Sequence, residues 1–151
     1  MISKLITQTL YEQDYPQWIE TTLSQLQQRD LEHLDWEHLI EEISELGNEQ
    51  KHKLESYLLQ LLKHLLLYQH WSLPDCKNDW EMEIDNFRVE LRKLTKSKNL
   101  YNYMLKVLDE VYNDAARQAK KKSGLNCFPS NCPYTVEQIL DVDYLPQFTY
   151  L

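Results

Sequence analysis

A run of leucines at helical spacing is the feature that most constrains the fold of this chain. Between residues 54 and 66, the leucines at positions 54, 58, 61, 62, 65 and 66 recur at this spacing. Steps of three and four residues place these side chains on one broad side of an α-helix, which other apolar elements must cover. The chain has 151 residues, which is enough for one domain with a core. It has only two glycines, a scarcity that disfavours a turn-rich β-sandwich or a glycine-rich phosphate loop.

Weaker repeats predict helices before the leucine run. Asp14 suits an N-cap, and the apolar repeat that follows it predicts a helix over about residues 15–29. A second repeat, after the N-cap candidate Asp35, predicts a helix over about residues 36–46. Gly47 then either ends this helix or bends it towards the leucine-rich helix.

The second half of the chain predicts two longer helices and a short one. Apolar repeats mark the longer helices over about residues 80–94 and 99–123, and Gly124 ends the second of them. Residues 135–138 (TVEQ) match a capping box that opens a short last helix. The tail, residues 141–151, is rich in aromatic and apolar side chains, so we expect it to dock on the body of the protein or on a partner.

Together these elements predict an all-α fold. We expect one domain over residues 1–151, a helical bundle of four to five main helices with a short C-terminal helix and a docked tail. The longest apolar run is about twelve residues and contains polar side chains, so it is too short to span a bilayer. No membrane association is expected.

Charge is distributed unevenly along the chain, whose net charge is −8. Residues 1–76 carry thirteen acids and five bases, whereas residues 77–122 carry eight acids and eleven bases. We interpret the basic segment as packing beside the acidic half, and a weak nucleic-acid surface is the less favoured alternative. An odd number of cysteines, three, and no recognisable signal peptide predict a cytoplasmic protein.

A few polar residues lie where helices could bring them together. Glu41 and Glu42 lie on the second predicted helix, and Glu55 lies near the start of the leucine-rich helix. His64 interrupts that helix, and we expect it to be at least partly buried, with a tyrosine, a carboxylate or a backbone carbonyl as partner. Arg88 lies on the next helix and could pair with a glutamate. A Glu–His–Arg network that fixes helix register is the favoured interpretation.

The same residue types are ordinary metal ligands. Glu41, Glu42, Glu55 and His64 would be the ligands of a metal-dependent bundle enzyme, in which the metal activates water or oxygen. The Glu-x-x-His signature of di-iron bundles occurs once, at residues 49–52, without the second copy that such a site needs. No cofactor is therefore expected. The sequence also lacks the nucleophile-elbow, phosphate-loop and dinucleotide motifs.

The order and spacing of these motifs resemble a known bacterial family, the domain of unknown function 29, which is abundant in cyanobacteria. The resemblance is carried by segments that include LYEQDY at residues 10–15, LIEEI at 39–43, HLL at 64–66 and CPYT at 132–135. It implies an all-helical fold, a bacterial and chiefly cyanobacterial source, and no assigned activity. The family pattern also includes the five candidates for a shared polar site: Glu41, Glu42, Glu55, His64 and Arg88.

The lack of a catalytic motif favours a small non-catalytic helical interaction or regulatory protein. Its partner is expected to be a second copy of the chain or another helical protein. The leucine-rich stripe and the aromatic tail supply the apolar surface for this contact, because any apolar stripe beyond what a monomer can bury implies self-association or a partner helix. A metal-dependent enzyme and a weak nucleic-acid binder are the alternatives.

Overall fold

Helices account for all the regular structure in the computed structural model, which describes residues 2–149. This confirms the all-α prediction. The α-helices of the described chain are α1 Lys4–Gln13, α2 Tyr15–Gln27, α3 Trp36–His70, α4 Lys77–Leu94, α5 Lys98–Ser123 and α6 Val136–Leu140. The chain divides into two compact units, unit 1 (Met1–Glu49) and unit 2 (Gln50–Leu151). That the whole chain forms one domain stays a prediction.

Unit 1 contains α1, α2 and the first part of α3. The carboxylate of Asp14 accepts a hydrogen bond from the backbone N–H of Gln17 at 3.2 Å, so Asp14 caps α2 as predicted. Helix α1 is not among the helices predicted from the sequence. Leu5 is 72% exposed and Ile6 is 55% exposed, whereas Thr7 is buried.

Helix α3 is a single helix of 35 residues. It joins the two helices expected on either side of Gly47, so this glycine does not end a helix. The sequence between the two predicted helices contains no proline, and its polar residues are tolerated in helix interiors. A Cβ at Gly47 would meet no atom within 4 Å, so packing does not require glycine there. Long as α3 is, no helix within residues 2–149 combines the length and apolar character needed to cross a membrane.

Unit 2 is built around the leucine-rich part of α3. Seven leucines there are completely buried: Leu54, Leu58, Leu61, Leu62, Leu65, Leu66 and Leu67. Side chains of the next two long helices belong to the same core: Trp80, Ile84 and Leu91 of α4, and Met104, Val107, Val111, Tyr112, Ala115 and Ala119 of α5. Burial on this scale makes the apolar core the main source of stability in unit 2.

The ends of the last two helices follow the sequence signals. Gly124 has a φ of 73°, a left-handed conformation that glycine adopts without strain, and its N–H donates to the carbonyl of Lys120 at 2.8 Å. Thr135 and Gln138 form the predicted capping box at the start of α6.

The tail docks on unit 2, as predicted. The backbone N–H of Thr149 donates to the carbonyl of Gln69 on α3 at 2.8 Å. Tyr144 packs against the core of unit 2, with its ring edge-on to Tyr134 at a centroid distance of 6.3 Å. The end of the predicted tail, residues 150–151, lies outside the described residues.

Candidate functional site

The two glutamates predicted on the second helix differ in their surroundings. Glu41 is exposed on α3. Glu42 accepts hydrogen bonds from the hydroxyls of Tyr11 and Tyr15, each at 2.5 Å. These two bonds hold the pKa of the Glu42 carboxyl below its ordinary value, so Glu42 is charged at neutral pH.

In unit 2, His64 and Glu55 have separate partners. The ring Nδ1 of His64 lies 2.7 Å from the carbonyl oxygen of Gln60, and the imidazole packs beside Phe87. Burial lowers the pKa of His64. The expected burial of His64 is therefore confirmed, and of the three partners left open by the sequence it has the backbone carbonyl. The carboxylate of Glu55 accepts a hydrogen bond from the hydroxyl of Tyr103.

Arg88 binds backbone carbonyls. Its side chain is only 1% exposed. Nε donates to Ile139 O at 2.8 Å, and the two terminal nitrogens donate to Tyr144 O at 2.9 Å and Gln138 O at 3.3 Å. Two of these carbonyls belong to the end of α6, where helix carbonyls lack partners inside the helix. The guanidinium thus ties α4 to α6 and to the docked tail.

The five predicted site residues therefore do not form one hydrogen-bonded network in the described chain. Glu55, His64 and Arg88 each bond to a different group, and Glu42 bonds to tyrosines of unit 1. Nor does any group of three or more histidine, cysteine, aspartate or glutamate side chains within residues 2–149 have the placement to hold a metal ion. The geometry accordingly gives the metal-dependent alternative no support.

A different polar network lies in unit 1, centred on Asp35. This carboxylate is completely buried. Its Oδ2 accepts from the indole Nε1 of Trp18 at 3.1 Å and from Nδ1 of His38 at 2.6 Å, and its Oδ1 accepts from the backbone N–H of His38 at 3.4 Å. Because a carboxylate only accepts, Nδ1 of His38 carries the proton. The His38 ring also stacks on Tyr11, with a centroid distance of 3.7 Å.

This network joins the three helical segments of unit 1. The hydroxyl of Tyr11, on α1, donates to Glu42 of α3. The indole of Trp18, on α2, donates to Asp35 at the start of α3. An Asp–His pair can serve a nucleophile in catalysis. Among residues 2–149, the hydrogen bonds of the His38 ring and of its backbone N–H run to Asp35, and no hydrogen bond joins the ring to a hydroxyl or thiol. The arrangement orients the helical segments of unit 1.

The sequence gives only a partial indication of this network. Asp35 is recognisable as an N-cap, and His38 lies one turn further along the same helix. The bond between Asp35 and Trp18 spans seventeen residues. No local repeat encodes a contact of that length, so the buried role of Asp35 is not predicted.

An apolar groove lies beside the network, between α2 and the first part of α3. Its volume is about 290 Å³. The residues that line it are Tyr15, Trp18, Ile19, Thr22, Leu23, Leu26, Leu39, Glu42, Ile43 and Leu46. Several of these apolar side chains are open to solvent, since Leu23 is 52%, Ile43 60% and Leu46 61% exposed. The groove is therefore an apolar surface that remains uncovered in unit 1.

The three lysines that end the basic segment are favourable for the helix that carries them. Lys120, Lys121 and Lys122 are exposed in the last turn of α5. Positive charge at this end offsets the helix dipole. The nucleic-acid alternative stays a prediction.

Comparison with known proteins identifies a family for the chain and no individual relative. Residues 10–145 match the family model described as "Domain of unknown function DUF29". This range includes the groove and the core of unit 2. No curated protein and no solved structure matches the chain. The predicted cyanobacterial source stays a prediction, and the chain belongs to the DUF29 family.

Proposed function

We propose that this chain is a non-catalytic helical interaction protein, and that it binds a helical protein partner through the apolar groove of unit 1. The supporting observation is the concentration of exposed apolar side chains in that unit. Of the sixteen large hydrophobic side chains exposed within residues 2–149, eleven belong to unit 1, which is only a third of the chain. Contiguous exposed apolar surface is typical of interaction sites.

The sequence suggests the leucine-rich stripe and the C-terminal tail as interaction surfaces, but both are covered within unit 2. The leucines of α3 in unit 2 are buried in its own core, and the tail is docked on the same unit. An interaction through either surface would first require unit 2 to open. The groove of unit 1 needs no such rearrangement.

The shape of the groove suits an α-helix. Ile19, Leu23 and Leu26 form one wall, and Leu39, Ile43 and Leu46 form the other, at steps of three or four residues. Such rows are the ridges between which a third helix packs. Helix α2 has 13 residues and is about 20 Å long, so the groove accommodates about three turns of a partner helix.

Selection from a displayed library of helical peptides against the full-length chain tests this proposal. We expect selected peptides to carry apolar residues three and four positions apart. Ile43→Asp should weaken their binding at least about tenfold, because it places a charge in the groove. Since Ile43 is 60% exposed, this variant should remain folded, which circular dichroism checks.

Met82→Asp is the matched control. Met82 is 62% exposed on α4 of unit 2, so the substitution makes the same chemical change outside the groove and should leave peptide binding intact. If no helical peptide is selected, or if the selected peptides bind the Ile43→Asp variant as well as they bind the wild type, the proposed function is wrong.

A further inference from the structure

We infer that the partner helix is basic, and that one of its lysine or arginine side chains binds Glu42 in the apolar groove of unit 1. This inference rests on the proposed function, since it specifies the partner of the same groove. It follows from the position of Glu42, from its hydrogen bonds and from the charge of unit 1.

Glu42 is a carboxylate held in a fixed position inside an apolar lining. Oε1 accepts from the hydroxyl of Tyr11 and Oε2 accepts from the hydroxyl of Tyr15. Each carboxylate oxygen can accept more than one hydrogen bond. Glu42 therefore keeps acceptor capacity on both oxygens for a donor that enters the groove.

No lysine or arginine of the described chain uses that capacity. The hydrogen bonds of Glu42 within residues 2–149 come from the two tyrosines. Lys4, one of the two bases in unit 1, pairs instead with Glu37 at 3.6 Å. A cationic side chain on the partner would thus meet a preorganised carboxylate with no competing ammonium or guanidinium group.

The charge around the groove selects against an acidic partner. Unit 1 contains eleven aspartates and glutamates but only two lysines and arginines. Glu41 and Glu45 are exposed on α3, on the turns adjoining Glu42. Charge complementarity favours a basic partner and speeds its association.

The same charge disfavours a second copy of the chain whose own groove packs against this one. Two copies that met groove to groove would each bring the acidic unit 1 to the interface, and like charges would repel. We therefore expect the protein to remain monomeric in sedimentation velocity at low salt. A dimer that Ile43→Asp dissociates would show that a second copy covers the groove, and would overturn the inference.

The decisive experiment repeats the peptide selection against the full-length chain and its Glu42→Gln variant. We expect peptides selected on the wild type to contain a lysine or arginine beside the apolar stripe. For one such peptide of about four turns, Glu42→Gln should weaken binding about tenfold, and so should replacement of its basic residue by glutamine. If the two groups contact each other, both changes together should weaken binding no more than one change alone.

Glu12→Gln is the matched control for net charge. Glu12 is an exposed acid of unit 1 outside the lining of the groove, so its loss should change the affinity less than about twofold. If Glu42→Gln has no larger effect than Glu12→Gln while Ile43→Asp still abolishes binding, the groove binds helices but the basic-partner inference is wrong. If Ile43→Asp also has no effect, the proposed function fails as well.

Discussion

One helix has different surroundings in the two units of this protein. In unit 2, the leucine stripe of α3 is completely buried, and side chains of α4 and α5 belong to the same core. In unit 1, the same helix leaves Ile40, Ile43 and Leu46 about 60% exposed. The apolar periodicity is similar in both parts. An amphipathic stripe therefore identifies a helix, while the elements available to cover it determine whether the stripe becomes a core or a surface.

The interiors of the two units also differ in how polar they are. Polar groups make up much of what unit 1 buries, among them Thr7, Gln25 and Asp35. Hydrogen bonds fix geometry but contribute little net stability, whereas burial of apolar area contributes about 25 cal/mol for each Å². Unit 1 thus has oriented helices and leaves apolar area available for a partner, whose binding would stabilise it.

The largest expected difference between the units comes from truncating one apolar side chain in each. Leu62→Ala leaves a cavity in the core of unit 2 and should lower the free energy of unfolding by about 2–5 kcal/mol. Ile43→Ala removes an exposed side chain of unit 1 and should change it by less than about 0.5 kcal/mol. Equilibrium urea unfolding followed by circular dichroism measures both. Equal losses would mean that Ile43 is covered in solution, and would contradict the open groove.

Arg88→Met tests how the tail is held on unit 2. The substitution keeps a long side chain but removes the guanidinium donors from three carbonyl oxygens, of which Gln138 O still accepts from the backbone N–H of Asp141 at 3.4 Å. Because Ile139 O and Tyr144 O lose this donor, we expect a loss of about 2–3 kcal/mol in the free energy of unfolding. Backbone amides of the tail, including that of Thr149, should also exchange hydrogen faster. Arg117→Met, which removes an exposed pair with Asp114, is the control and should cost less than about 0.5 kcal/mol.

Much of the fold can be predicted from local sequence patterns. The leucine repeat, the N-cap Asp14, the C-cap Gly124 and the capping box of α6 all depend on residues close in sequence, and the structure confirms each of them. The continuity of α3 through Gly47 could not be decided in this way. A glycine costs a helix only about 1 kcal/mol, which tertiary context readily offsets.

Less of the candidate site can be predicted, because its contacts join distant residues. Burial of His64 follows from its position among leucines. The partners of Arg88 lie about fifty residues away on α6 and the tail, and they are backbone atoms, which carry no residue-specific pattern. The groove could not be predicted for a similar reason, because the sequence indicates two apolar stripes but does not show that both remain uncovered.

Asp35→Asn tests whether hydrogen bonds hold unit 1 together. An asparagine has nearly the same shape, but one of its two ends is an amide donor that would face a donor of Trp18 or His38. We expect a loss of about 1–2 kcal/mol in the free energy of unfolding. Asp14→Asn is the matched control in unit 1, because asparagine caps a helix as well as aspartate does. Equal effects of the two changes would show that Asp35 acts only as a cap.

The smallest expected effect is a pH dependence that arises in unit 2. Burial lowers the pKa of His64 and of His70 below the ordinary value of 6.5, so the unfolded chain binds protons at a higher pH than the folded chain does. Stability should therefore be complete above that value and should fall as the pH decreases through it. Urea unfolding at a series of pH values measures the slope. The double substitution of His64 and His70 by glutamine should reduce it. If the double variant keeps the same dependence of stability on pH, the titrating groups lie outside the core of unit 2.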